Sequence, residues 1–264
     1  MPVVQFVHPN LLRGDSHDYE GGNMMKTYCR QHGKLIAFIG CIGFLGIMEA
    51  YSTPSGSKNF PVFFNMAFGY VSFDSYEWLM ASTIKWIMPQ FALLFFWGDY
   101  IEDRLVHHLN YILTRTNHLA RYVWSVYLKL LAIVVVACVM LYLAAAIVAS
   151  SQFEHLTLSF SILWNMMTYL LYLYLILLFI NVMSISIKAI YSVLIVIGGQ
   201  LVSLTTTKLI FDGKLPSSLY PFAPTSNVLF SYNQGKLYPA FLLGAAILIV
   251  FILNLTLLRR KEVL

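Results

Sequence analysis

Apolar residues in this chain fall into long blocks separated by short polar stretches, and the blocks are too long for strands or for the one-sided stripes of soluble helices. A helix rises about 1.5 Å per residue, so crossing a hydrocarbon core of roughly 30 Å takes about 20 apolar residues. Six blocks meet or approach that length: 35–51, 77–97, 122–150, 158–183, 189–211 and 237–258. The expected fold is all-α, a polytopic membrane protein whose residues 35–258 form six transmembrane helices. Between the third and fourth blocks only Gln152, Glu154 and His155 interrupt the apolar text, which predicts an antiparallel hairpin. No heptad, solenoid or inverted repeat is evident.

Composition agrees with that pattern. Of 264 residues 59% are hydrophobic and 11% charged, against roughly 45–50% and about 25% in soluble domains. The net charge of +5 does not mark a nucleic-acid partner, because the basic residues flank apolar runs rather than cluster on one face. Cys29, Cys41 and Cys138 make no C-x-x-C pair and predict neither a disulfide framework nor a zinc site. The adjacent His107 and His108 cannot both face one metal from a helix, so no metal is expected. No apolar stretch precedes Leu35, and residues 1–34 read as a cytoplasmic segment rather than a secretory signal. Within it, Asn23 to His32 suits a short interfacial amphipathic helix after a Gly21-Gly22 joint, and residues 259–264 form a cytoplasmic tail. Twelve Lys and Arg residues fall on the side of the two termini, against four (Lys58, Lys208, Lys214, Lys236) on the other, with Lys85 inside a span. That excess places both termini in the cytoplasm.

Three groups of residues within the spans are candidates for function. Gly40, Gly43 and Gly46 are spaced three apart, so one flank of the first helix is nearly bare backbone and open to close approach by another helix. Glu49 and Lys85 are charges placed inside spans at overlapping depth; they either pair, with Lys85 otherwise snorkelling outward, or line a substrate path. The second half of the fifth span is unusually polar, and Gln200, Thr205 and Thr206 there suit a pathway or a dimer interface better than lipid. The polar stretch from Asp99 to Arg121 is longer than a turn requires. Its Ile101, Leu105, Leu109 and Leu113 at spacing four predict an amphipathic helix, lying on the membrane or seated in a partner's groove, or else a solvated extension of the second span. No G-x-x-x-x-G-K-[ST], H-E-x-x-H or G-x-S-x-G occurs, so the chain is not expected to be an enzyme.

The charged stretch reads Asp99-Tyr100-Ile101-Glu102-Asp103-Arg104, then a Leu-rich run from Leu109 to Leu113, then Thr114-Arg115-Thr116-Asn117, then Arg121 and Lys129. With six spans, both ends inside and a proline-bearing loop before the last span (Leu215 to Tyr238), it resembles the membrane subunit of an ABC-2 type exporter over about residues 23–261. Val106-His107-His108 stands where that family often has small residues and a Gly-Thr turn. The resemblance implies a cytoplasmic ATPase subunit as partner, binding ATP and Mg that this chain does not bind directly. It also implies a second membrane subunit, either another copy or a relative, in the bacterial plasma membrane. Asp99, Glu102, Asp103, Arg104, Arg115, Asn117 and Arg121 would form the ATPase-coupling loop. A pathway rich in Tyr, Phe, Met and Thr points to an amphipathic peptide, such as an antimicrobial peptide, or a hydrophobic drug. The alternative from another class is a non-transporting immunity or sensor protein that binds a peptide at the outer surface.

The charge asymmetry gives the first testable outcome. Single cysteines at positions 58, 154 and 214 are expected to react with an impermeant thiol reagent in intact cells, and cysteines at 13, 115, 188 and 261 are not. Labelling at position 115 would reverse the orientation.

Overall fold

The computed structural model describes residues 16–51, 63, 71, 76–100, 119–153, 159–225, 227–229 and 237–262. Among them secondary structure is entirely helical. The described residues hold six long helices: α1 (Ser16–Tyr51), α2 (Tyr76–Trp97), α3 (Leu119–Ser150), α4 (Phe160–Ser184), α5 (Ala189–Phe211) and α6 (Tyr238–Glu262), with a 3₁₀ helix at Ser217–Phe222. The chain divides into two compact units, Met1–Ala37 and Phe38–Leu264. In the first, the described residues are the opening turns of α1, in which Gly21 and Gly22 sit within the helix rather than forming a joint before it. The second holds everything that follows.

Among the described residues five stretches are long and apolar enough to cross a membrane: Gly33–Tyr51, Val123–Ser150, Phe160–Ser184, Ala189–Phe211 and Tyr238–Leu257. The chain is therefore a multi-pass membrane protein by length and composition. The second expected span is present as the helix α2 but is not among the five. Lys85, Pro89 and Gln90 dilute its apolar text. A Pro inside a helix removes one backbone bond, which a membrane helix tolerates where neighbours satisfy the freed group.

Burial singles out α4. Of its most apolar window 61% is buried, against 44% for α3, 28% for α1, 22% for α5 and 17% for α6. It packs against α2, α3, α5 and α6, and the face its neighbours leave open, with Leu163, Met167 and Phe179, is apolar too, which explains why its sequence shows no polar stripe. Around it lies a continuous core including Phe38, Trp86, Leu93, Leu130, Leu141, Tyr169, Tyr172, Leu177 and Leu229. Phe38 on α1 meets the rings of Phe96 and Trp97 on α2 edge-on, at 5.7 and 5.9 Å between centroids. Trp124 and Tyr127 on α3 meet Phe251 on α6 in the same manner, at 5.5 and 5.2 Å.

The chain leaves α5 through a C-terminal cap that only glycine suits. Gly213 has φ +70°, its N–H donates to the carbonyl of Ile210, and the N–H of Lys214 donates to that of Leu209. This is the 5→2 and 6→1 bond pair of a Schellman motif. Beyond the 3₁₀ helix the chain turns inward again, since Ala223, Thr225, Asn227, Val228 and Leu229 are all buried. The Thr225 hydroxyl lies 2.7 Å from that of Ser203 and 3.3 Å from that of Thr207, and the Thr225 N–H also donates to Ser203 Oγ at 3.2 Å. The polar end of α5 is thus satisfied by a loop that dips back onto it.

The three glycines of α1 part company. A Cβ on Gly46 would meet the Cβ of Ala144 at 2.8 Å and the Leu141 Cα and carbonyl oxygen at 3.2 Å, whereas a Cβ on Gly40 or Gly43 has nothing within 4 Å. Gly46 is the point at which α1 rests on the backbone of α3. Gly46→Ala is therefore expected to destabilise the folded protein by about 1–3 kcal/mol, and Gly40→Ala and Gly43→Ala to shift it by less than about 1 kcal/mol. Thermal unfolding in detergent separates them; an equal effect at all three positions would refute the close contact.

Candidate functional site

At the middle of the helices the core contains a polar network. Gln90 on α2 is fully buried, its side-chain amide donating back to the carbonyl of Trp86, one turn earlier, at 2.9 Å. Its Oε1 accepts from Nε2 of Gln200 on α5 at 2.7 Å. Gln200 also reaches the hydroxyl of Tyr172 on α4, and Gln90 reaches that of Tyr169 on the same helix. The ring of Trp86 packs against Tyr172, 5.7 Å between centroids. Gln200 and Tyr172 fall at the midpoints of α5 and α4, at the depth where an unpaired amide is most costly. Three helices are joined there by amide and phenol groups.

The network continues to a charge pair. Glu49, two residues before the end of α1, is 5% exposed, and it interacts electrostatically with Lys85 on α2 and with Tyr169 on α4. Lys85 is half-buried and feels Glu49 in return. Gln90 lies five residues beyond Lys85, so Glu49, Lys85, Tyr169, Gln90, Gln200 and Tyr172 form one polar track across α1, α2, α4 and α5. Two buried polar atoms beside it, Trp86 Nε1 and Gln200 Oε1, have no hydrogen-bond partner among the described residues. They leave one donor and one acceptor open at the heart of the bundle.

A second polar group ties α6 to α3. Asn254 donates its side-chain amide to the Tyr127 hydroxyl, and Tyr174 on α4 donates to the Tyr127 carbonyl at 3.2 Å. Near the far end of α4, Asn181 donates to the carbonyl of Trp97 at 3.1 Å, anchoring the last residue of α2.

The residues anticipated from sequence are distributed unevenly over this arrangement. Glu49, Lys85 and Gln200 are brought together in the track. Thr205 and Thr206 are not: both hydroxyls donate back to the carbonyls four residues earlier, Leu201 and Val202, at 2.9 Å, and Thr205 faces outward. The neighbouring Thr207 is the buried threonine that meets the loop at Thr225. Gly46 is in the packing against α3, while Gly40 and Gly43 are not. Of the anticipated coupling loop, Asp99 lies exposed just past α2 and Arg121 lies exposed on the first turn of α3; Glu102, Asp103, Arg104, Arg115 and Asn117 lie outside the described residues. Among the described residues no three His, Cys, Asp or Glu side chains converge as metal ligands. Gln90, Tyr169, Tyr172, Asn254 and Tyr127 carry the interior polar bonds without having been anticipated. The signal for Gln90 was present: an amide beside Pro89 in an otherwise apolar block has to face protein.

Comparison of the chain with protein-family models, with curated proteins and with solved structures finds no match.

The charge pair carries a double-mutant test. Lys85→Met leaves Glu49 buried without its counter-charge, and removing one partner of a buried pair costs about 3–5 kcal/mol. Lys85→Met is expected to reduce folded protein sharply, and Glu49→Gln/Lys85→Met to recover most of the loss. Additive losses in the cycle, read by unfolding in detergent, would show that the two charges do not depend on each other.

Proposed function

We propose that the chain is the membrane-spanning subunit of an ATP-driven exporter, moving a hydrophobic or amphipathic substrate such as a peptide out of the cell. In this reading α2 is a sixth span and both termini are cytoplasmic, as the charge asymmetry requires. Two such subunits, this chain with a copy of itself or a relative, assemble in the plasma membrane with separate ATPase subunits. Those subunits bind ATP and Mg and dock on the stretch from Asp99 to Arg121.

One observation carries the proposal. The polar track runs from the end of α1 to the middle of α4 and α5, spans four helices and keeps a donor and an acceptor open, and ionisable residues retained inside apolar helices against their insertion cost mark sites of passage more often than of packing. The aromatic and amide lining favours an amphipathic substrate: phenol and indole edges with a few polar anchors complement a peptide better than a highly charged polymer. Helix movement during a cycle would exchange the Gln90–Gln200 bond for bonds to substrate, with Tyr169 and Tyr172 supplying the alternative partners.

The test is purification of the tagged chain from its own host membrane in mild detergent. A Walker-motif ATPase is expected to co-purify, and amphipathic peptides to stimulate its hydrolysis. Replacing Glu102 and Arg104 together by alanine should cut the stimulated rate on the order of tenfold while leaving membrane insertion unchanged. Recovery of the chain without any ATPase, while it still binds peptide, would replace export with an immunity or sensor role.

A further inference from the structure

The first four turns of α3 present a face unlike the rest of that helix. Arg121, Trp124, Ser125, Leu128, Lys129 and Ala132 line a recess of about 390 Å³, and Trp124 and Leu128 are each about half exposed. Two cations and an indole border it and no acidic residue does. Neither Arg121 nor Lys129 is paired with another described residue. Lys129 nevertheless lies inside the apolar stretch Val123–Ser150, six residues or about 9 Å from its start.

Length resolves the apparent conflict. The 28 residues of that stretch extend about 42 Å, roughly 12 Å more than the hydrocarbon core needs. A cation about 9 Å from one end places the surplus at that end, because Lys129 then sits at headgroup level and not in the acyl chains. The same level is reached on α6 by Phe251, on which Trp124 packs at 5.5 Å. Tryptophan prefers that zone, having an apolar body and one N–H donor. Further along α6 the chain carries Arg259, Arg260 and Lys261, so this end of the bundle is basic on two adjacent helices.

We infer that this face of α3 is a binding site for an anionic phospholipid. Its phosphate is held between the guanidinium of Arg121 and the ammonium of Lys129, whose long stems reach towards it across the about 12 Å that separates them along the helix. The acyl chain runs along Leu128 and Ala132, and the indole of Trp124 sits beside the glycerol backbone. Charge decides the lipid class: with two cations and no carboxylate, a zwitterionic headgroup brings its own positive charge into repulsion, and a headgroup with net negative charge does not.

The test uses the full chain reconstituted in mixed vesicles of phosphatidylcholine and phosphatidylglycerol, with brominated acyl chains on one lipid or the other. The Trp124 fluorescence is isolated as the difference between wild type and Trp124→Phe. Brominated phosphatidylglycerol is expected to quench that component on the order of tenfold more effectively than brominated phosphatidylcholine at equal mole fraction. Arg121→Gln/Lys129→Gln should erase the preference, and Arg121→Lys/Lys129→Arg should keep it. Equal quenching of the wild type by the two lipids would overturn the assignment without recourse to any charge variant. So would a preference that survives Arg121→Gln/Lys129→Gln, or quenching by neither lipid, which would mean that a second copy of the chain covers the face.

Discussion

A polar side chain that enters an apolar helix has to be bonded by protein, because the hydrocarbon around it offers no donor or acceptor. Most of the specific geometry of this bundle follows from that requirement. Apolar surface alone would hold the helices together at many rotations, since one leucine packs on lipid about as well as on another leucine. Gln90 against Gln200, Asn254 against Tyr127 and Asn181 against the Trp97 carbonyl each fix one helix at one rotation and one depth relative to its neighbour, and Ser203 against Thr225 fixes the loop after α5 in the same way. The aromatic edge-to-face contacts then fill the space those bonds define.

The place of α4 at the centre gives that scheme its connectivity. Tyr169 and Tyr172 belong to the track with α2 and α5, Tyr174 turns to the backbone of α3, and Asn181 reaches the end of α2. A single helix therefore carries polar bonds in three directions, which is possible because neighbours pack on most of its circumference. The loop after α5 uses the same principle at the end of the bundle. Its Thr225 closes the hydroxyls of Ser203 and Thr207, and the glycine cap at Gly213 aims the chain so that it can do so.

The helices themselves were legible in the sequence because their signal is length and apolarity, which depend on no partner. The third span expected at 122–150 is α3 at Leu119–Ser150, and the fourth, at 158–183, is α4 at Phe160–Ser184. What could not be read was rotation. Gly40, Gly43 and Gly46 look alike as letters, yet only the last meets α3, because a helix turns 100° per residue and the stripe leaves the contact within two steps. Thr205, Thr206 and Thr207 differ in the same way, the third alone facing the loop. Glu49 and Lys85 were conspicuous because charges are rare in such text. Gln90 and the tyrosines were not, since a neutral amide or phenol among apolar residues becomes informative only when its partner on another helix is known.

The makeup of the polar track has an electrical consequence. Its two ionisable members are one acid and one base, and its remaining members are neutral amides and phenols. Moving one elementary charge through a potential of 100 mV takes about 2.3 kcal/mol. Held as an ion pair, Glu49 and Lys85 carry zero net charge between them, and a rearrangement of Gln90, Gln200 and the tyrosines displaces dipoles only. A rearrangement that keeps the two residues ion-paired is in this respect electrically silent: the membrane voltage neither drives it nor holds it back.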